Sequence, residues 1–200
     1  AFAVVAALVA RARAAQAVAG AFDQARVDEL VAAAGWAILE PARNRELAEL
    51  AVADTGIGDV EDKIRKNHRK TLGLLRDLAG LRTVGVIAEL PEKGLVEIAR
   101  PVGVVCAITP STNPAATPAN KIINALKARN AVIVAPSPKG ASTCARLLDF
   151  QHFREDVADE WTRRQVAAIK AADPQALVTV GLIQWSVPSQ LAACWHYSAF

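Results

Sequence analysis

Two loops carry the residues whose types and spacing are best suited to binding a ligand. The first loop, residues 110–118, follows an apolar run at residues 102–109, and the second loop, residues 136–140, follows an apolar run at residues 131–135. The intervening residues 119–128 have the apolar spacing of a helix. Short apolar runs on either side of a helix predict two parallel strands, covered on both faces and joined by a crossover helix. Ligands of such sheets bind beyond the carboxyl ends of the strands, so the two loops predict a binding site.

The composition favours a folded, globular chain. Of the 200 residues, 52% are hydrophobic and 22% are charged, which excludes a disordered segment. The net charge of +3 is small and scattered, so we expect no nucleic acid partner. Three distant cysteines form neither a disulfide framework nor a metal-ligand pattern, and His68, His152 and His196 pair with none of them. We therefore expect no metal and a reducing compartment.

The N-terminal residues predict a helix and not a targeting signal. Residues 1–10 are apolar, but Arg11 and Arg13 follow them, whereas a signal peptide carries its basic residues first. We expect no stretch long and apolar enough to span a bilayer. The prediction is a cytoplasmic protein without a membrane partner.

Helices are predicted in the first part of the chain, and strands follow them. The helices cover residues 1–19, a segment capped by Asp23, a segment starting at Pro41 and residues 59–79. The last helix carries basic residues on what we expect to be its outer face, namely Lys63, Arg65, Lys66, Arg69 and Lys70. Such a run could attract an anionic ligand, but a solvated helix face is the simpler interpretation.

A hairpin is predicted between the helices and the parallel strands. Residues 83–90 and 95–100 have strand character, and the turn between them ends with glycine. Its position suggests an arm that reaches another subunit. After the second loop, residues 141–150 predict a helix that Ser142 or Thr143 would cap.

The order of motifs along residues 14–149 resembles one known family. The stretch EIARPVGVVCAITPSTNPAATPANKIINALKARNAVIVAPSPKGAS, preceded by DTGIGDVEDKIRKNHRKT, resembles the CoA-acylating branch of the aldehyde dehydrogenase superfamily, and most of all its sulfoacetaldehyde dehydrogenases. The resemblance implies an α/β fold, with N-terminal helices, a β-hairpin and a partial doubly wound, Rossmann-like parallel sheet. Residues 1–149 would then be the first part of an NAD(P)-binding domain, and the hairpin at 83–100 would join the subunits of a homo-oligomer.

The resemblance also implies a chemistry and a set of site residues. A cysteine thiolate attacks the aldehyde, NAD or NADP accepts the hydride, and coenzyme A receives the acyl group. Thr112 and Asn113 match the oxyanion or substrate-positioning loop of the family. The cofactor would contact both loops, through Thr109, Pro110 and Ser111 beside the nicotinamide and through Pro136, Ser137 and Lys139 near the adenosine end. Ala135 stands where non-acylating relatives usually carry a lysine, which fits the acylating branch.

We assign the catalytic role to none of the three cysteines. Cys106 lies in the middle of a predicted strand and Cys144 lies on a predicted helix, so both are interpreted as buried packing residues. Cys194 lies in a different kind of sequence. In the family the nucleophile lies well downstream of the second loop, so we expect a chain truncated before its catalytic cysteine, with little or no turnover on its own.

The C-terminal segment, residues 150–200, has another character. The string FREDVADEWTRRQVAAIKAADPQALVTVGLIQWSVPS resembles a helix and strand of a (β/α)₈-barrel glycoside hydrolase, over about residues 150–188. No pair of catalytic carboxylates is carried over from that family. We interpret the segment as an unrelated αβ tail joined near Phe150. Besides the truncated enzyme, this leaves a non-catalytic fusion or assembly fragment as an alternative, and a glycoside hydrolase fragment as a weaker one.

Overall fold

The computed structural model describes residues 2–151 and residue 171. Within this part the chain is a mixed α/β structure, which confirms the predicted fold class. The elements, in chain order, are α1 (Phe2–Ala19), α2 (Gln24–Leu39), α3 (Pro41–Thr55), α4 (Val60–Leu78), β1 (Gly85–Leu90), β2 (Leu95–Ala99), β3 (Val104–Thr109), α5 (Ala116–Lys127) and β4 (Ala131–Pro136). A further helix, α6, includes residues 141–151. Short 3₁₀ turns occupy Pro91–Lys93 and Pro138–Gly140.

Local capping residues determine where the helices of the N-terminal layer begin. The Asp23 carboxylate accepts a hydrogen bond from the Arg26 N–H at 2.8 Å, and the Asp59 carboxylate accepts one from the Asp62 N–H at 2.9 Å. Each bond satisfies an amide that has no partner inside its helix. Helix α3 ends at Gly56, which adopts φ 63°, a left-handed conformation that glycine reaches without strain.

Helix α2 is the centre of the core. One cluster of buried apolar residues joins it to α3, α6 and the start of α5, and consists of Ala37, Ile38, Leu47, Ala115, Ala119, Leu147 and Phe150. On its other side, α2 packs against α4 so closely that a Cβ at Gly35 would lie 2.6 Å from Leu75 Cδ1. Because Ala115 belongs to the first cluster, the end of the first site loop rests directly on this core.

Strands β3 and β4 pair in parallel, with α5 as the connection between them. The register aligns Val104 with Ala131 at one end and Thr109 with Pro136 at the other. Helix α5 packs against both strands. Part of one face of the pair is open among the described residues, since Cys106 is exposed and Ile108 is 76% exposed. The prediction that both faces are covered is therefore wrong for the described part, and so is the prediction of a buried Cys106.

Strands β1 and β2 form an antiparallel hairpin with a bulge between Val86 and Ala88. Leu95, Val96 and Ile98 on β2 are each more than half exposed. Apolar side chains on a two-stranded ribbon need a partner to be shielded from water. The pairing matches the predicted hairpin, and its role in joining subunits stays a prediction.

Helix α1 bears on the prediction that no stretch of the chain could span a membrane. It has 18 residues and is apolar enough to cross a bilayer by length and composition, so the prediction that no such stretch exists is wrong. Signal sequences and core helices share these properties, and the helix lies near the N-terminus. In the structure α1 contacts β3 and β4.

The predictions for residues 152–170 and 172–200 lie outside the described residues. They comprise the helix at 153–172, the strand at 177–183, and the interpretations of Cys194, His152 and His196.

Candidate functional site

The structure brings the two predicted loops together at one edge of the β3–β4 pair. The Ser137 N–H donates a hydrogen bond to the Thr109 carbonyl at 3.0 Å, which extends the strand pairing into both loops. Further along, Gly140 contacts Pro114 so closely that a Cβ at Gly140 would lie 2.5 Å from Pro114 Cβ. The absence of a side chain at Gly140 therefore permits this approach of the second loop to the first.

Two buried polar atoms, one at the end of β3 and one in the first loop, lack hydrogen-bond partners in the described residues. Thr109 is 3% exposed, and within the described residues its hydroxyl has no hydrogen-bond partner. The side-chain carbonyl of Asn113 is likewise buried and unpartnered there, while its amide nitrogen lies 3.5 Å from the Thr112 hydroxyl. An unsatisfied buried polar group costs about 1–3 kcal/mol, so polar atoms of this kind mark a place where a ligand or further polypeptide can bind.

Lys63 contacts the first loop from α4, and the sequence reasoning missed it. The side chain was predicted to lie on a solvated face, but Lys63 is only 5% exposed. Its ammonium donates a hydrogen bond to the Thr112 carbonyl at 2.7 Å. Burial lowers the pKa of Lys63, and the nearby charge of Lys66 lowers that pKa further.

A spacing signal for Lys63 was present in the sequence. The buried residues of α4 are Lys63, Asn67, Thr71 and Leu75, which recur every four residues. Three of the four are polar, so a search for an apolar stripe passes over them.

The second loop presents its polar side chains without internal partners. Pro138–Gly140 form a 3₁₀ turn in which the Gly140 N–H donates to the Ser137 carbonyl at 2.9 Å. Lys139 is exposed and Ser137 is half-buried. In the described part of the chain neither side chain forms a hydrogen bond or an ion pair, so both are free to contact a ligand.

Asp54, near the end of α3, caps the helix that follows the second loop. Its carboxylate accepts hydrogen bonds from the Thr143 N–H at 3.0 Å, the Thr143 hydroxyl at 2.6 Å and the Ser142 hydroxyl at 2.6 Å. Burial would raise the pKa of Asp54, but the bonds from Ser142 and Thr143 outweigh it and hold that pKa below its ordinary value. The prediction that Ser142 or Thr143 caps α6 is wrong, because both hydroxyls donate to a cap supplied by another helix.

The two described cysteines lie outside the loops. Cys106 is on β3, opposite Ile133 of β4, and Cys144 is 1% exposed on α6. Burial raises the pKa of the Cys144 thiol, which disfavours the reactive thiolate. Within residues 2–151, no three His, Cys, Asp or Glu side chains come together to hold a metal ion.

A cavity of about 550 Å³ lies away from the loops, between α2 and α4. Apolar side chains such as Val31, Leu72 and Leu75 line it, together with Arg69 and Arg76. No residue of either loop contributes to its wall, so it is separate from the candidate site.

Comparison with known proteins identifies the family. The model of the "Aldehyde dehydrogenase family" matches residues 3–155, a longer stretch than the resemblance indicated. An acylating sulfoacetaldehyde dehydrogenase from Cupriavidus necator is 75% identical over 148 residues, which are 74% of this chain and 30% of that protein.

Solved structures agree with this assignment. An acetylating aldehyde dehydrogenase from Geobacillus thermoglucosidasius matches with a TM-score of 0.68 and 37% identity, covering 72% of this chain and 31% of that one. A propionaldehyde dehydrogenase from Rhodopseudomonas palustris, with bound CoA and an acylated cysteine, matches with a TM-score of 0.61 and 27% identity over 72% of this chain and 32% of that one. The chain thus spans about three tenths of the length of these relatives. On the family match and these likenesses, the chain belongs to the aldehyde dehydrogenase family.

Proposed function

We propose that the chain is a portion of an NAD(P)-dependent, CoA-acylating aldehyde dehydrogenase whose substrate is a small anionic aldehyde such as sulfoacetaldehyde. The observation that carries the proposal is the meeting of two polar loops beside the carboxyl ends of paired parallel strands. The identity of 75% to an acylating sulfoacetaldehyde dehydrogenase supports the substrate class.

The residues of the two loops suit this chemistry. Thr112 and Asn113 offer donors for the oxygen of an aldehyde that becomes negatively charged when a thiolate adds to its carbonyl carbon. The unpartnered buried atoms of Thr109 and Asn113 are the groups that a bound nicotinamide end or substrate would satisfy. When bound, NAD(P) would accept the hydride and coenzyme A would take up the acyl group. We assign the catalytic thiol to neither Cys106 nor Cys144.

The second loop would hold the adenosine half of the cofactor. The exposed Lys139 ammonium and the Ser137 hydroxyl are free to bind a ribose or its phosphate. Whether NADP is preferred depends on Lys139, because only NADP carries the additional phosphate that an ammonium would neutralise.

Calorimetric titration of the 200-residue chain with NAD and with NADP tests the proposal. We expect Lys139→Met to weaken NADP binding by about fivefold, equivalent to about 1 kcal/mol, and to leave NAD binding within a factor of two. Lys93→Met, which removes an exposed lysine from the hairpin turn, is the matched control and should change neither affinity. A chain that binds neither dinucleotide would favour the alternative of a non-catalytic assembly fragment.

We also propose that the β1–β2 hairpin joins copies of the chain into a homo-oligomer. Val96 and Ile98 lie on one face of β2 and are 57% and 52% exposed. Replacing both with glutamate would place like charges in the contact between subunits. Light scattering should then show a smaller species than the unmodified chain, and an unchanged mass would rule out this contact.

A further inference from the structure

We propose that Lys63 is a positioning residue of the site described above: its buried ammonium fixes the peptide between Thr112 and Asn113 and so presents the Asn113 backbone N–H to the ligand. The ligand role rests on the proposed function, whereas the positioning of the peptide does not.

The ammonium of Lys63 is held in place before any ligand arrives. Lys63 lies on the first turn of α4, and its side chain is buried, with only 5% exposed. One turn later, α4 is tied to α3, because the Asn67 amide donates to the Asn44 side-chain carbonyl at 2.9 Å and the Asn44 amide donates to the Ile64 carbonyl at 3.1 Å. The helix that carries Lys63 therefore cannot rotate freely relative to the layer behind it.

The charged ammonium of Lys63 binds the first loop. Among the described residues it forms no ion pair, and its ammonium has one hydrogen-bond acceptor, the Thr112 carbonyl at 2.7 Å. A buried ammonium makes a stronger bond to a carbonyl than a neutral donor does. The bond therefore restrains the Thr112 carbonyl to point towards α4.

The direction of this carbonyl decides where the next N–H points. The described residues contain no cis peptide bonds, so the Asn113 N–H is directed opposite to the Thr112 carbonyl, away from Lys63. Within the described part this N–H has no hydrogen-bond partner. Because the ammonium withdraws electron density from the peptide, it also makes the N–H a better donor. Asn113 thus offers a backbone N–H donor beside its side chain. The hydrogen bond from Lys63 to the Thr112 carbonyl fixes the direction of this N–H.

Amide hydrogen exchange tests the positioning without a ligand. The reporter is the Thr117 N–H, which donates to the Asn113 carbonyl at 3.2 Å and therefore depends on the loop geometry. Lys63→Met should accelerate its exchange about tenfold, through local opening, and leave the amides of α2 unchanged. Lys70→Met, which removes an exposed lysine from the same helix, should have no effect. Lys63→Arg, which keeps a cationic donor, should bring exchange back to within about threefold of the unmodified chain.

A second measurement uses the unmodified chain, so that it does not depend on whether the variant folds. An NMR correlation across the hydrogen bond from Lys63 Nζ to the Thr112 carbonyl carbon should be observed, and a freely rotating ammonium without it would overturn the proposal. Thr117 exchange within twofold of the unmodified value in Lys63→Met would overturn it too.

Addition of NADP tests the ligand part separately. A shift of the Asn113 amide resonance in the unmodified chain, reduced in Lys63→Met, supports the presentation of this N–H. If the unmodified chain binds no dinucleotide, the proposed function fails while the exchange and NMR results still decide the role of Lys63. Binding that leaves the Asn113 resonance unmoved would overturn the donor role of this N–H.

Discussion

Removing the Asp54 carboxylate should destabilise the chain by about 2–4 kcal/mol. The carboxylate caps α6 and accepts from three donors on Ser142 and Thr143. Loss of a helix cap alone costs about 1 kcal/mol. In Asp54→Ala the hydroxyl of Thr143, a fully buried residue, also loses its acceptor, which adds about 1–3 kcal/mol. Asp54 is only half-buried, so water replaces part of what is lost and the cost should lie towards the lower end of this range.

Urea denaturation followed by circular dichroism measures this free energy of unfolding. Asp54→Asn should fall between the unmodified chain and Asp54→Ala, because it keeps one carbonyl acceptor. Ser142→Ala should cost about 1 kcal/mol, since Ser142 is exposed and supplies one of the three donors. Asp77→Ala is the control: Asp77 is exposed and pairs with Arg76, and such surface pairs contribute about 0–1 kcal/mol. If Asp54→Ala costs no more than Asp77→Ala, the reasoning about the cap is refuted.

The same carboxylate predicts a dependence on pH. Because the folded chain lowers the pKa of Asp54, its contribution is present above the ordinary carboxyl pKa of about 3.9 and is lost as the pH falls through the folded value. The difference in stability between the unmodified chain and Asp54→Asn should therefore shrink between pH 7 and pH 3. Denaturation curves at the two pH values check this, and a difference that grows towards pH 3 would contradict it.

Three further substitution and labelling experiments follow from the packing. Gly140→Ala places a methyl group against the ring of Pro114 and should cost about 1–3 kcal/mol, seen as a lower midpoint of thermal unfolding. Gly73→Ala adds the same methyl group at a helix position where no atom beyond the helix's own backbone lies within 4 Å, and should stabilise by about 0.5–1 kcal/mol; an equal effect of the two would refute the contact. Iodoacetamide should label the exposed Cys106 at least about tenfold faster than the buried Cys144, as measured by peptide mapping. Equal labelling rates would show that Cys144 is not shielded in solution.

Elements whose ends depend on neighbouring residues could be predicted from the sequence. Asp23 caps the helix that follows it, as predicted, and the glycine at position 94 closes the hairpin turn with φ 66°. The meeting of the two loops also followed from the sequence, because two short apolar runs around a helix leave few arrangements other than a parallel pair.

Side-chain contacts between residues distant in the chain were not predicted. Lys63 lies 49 residues before its acceptor Thr112, and only the packing of α4 against the loop converts a surface residue into a buried one. Asp54 lies 89 residues before Thr143. The neighbouring sequence therefore predicts a cap only from the hydroxyls of α6 itself. Cys106 was predicted to be buried because its neighbours along the chain are apolar. It is exposed because the described residues do not cover it.

The dependence of both loops on the N-terminal helices limits how this site could be transplanted. One loop is tied to α4 through Lys63, and the helix after the other is tied to α3 through Asp54. A graft that moved only the two strands and their crossover helix into another scaffold would leave both anchors behind. Substitutions where α3 meets α4, such as at Asn44 and Asn67, should in turn alter the distance between the two loops without touching either of them.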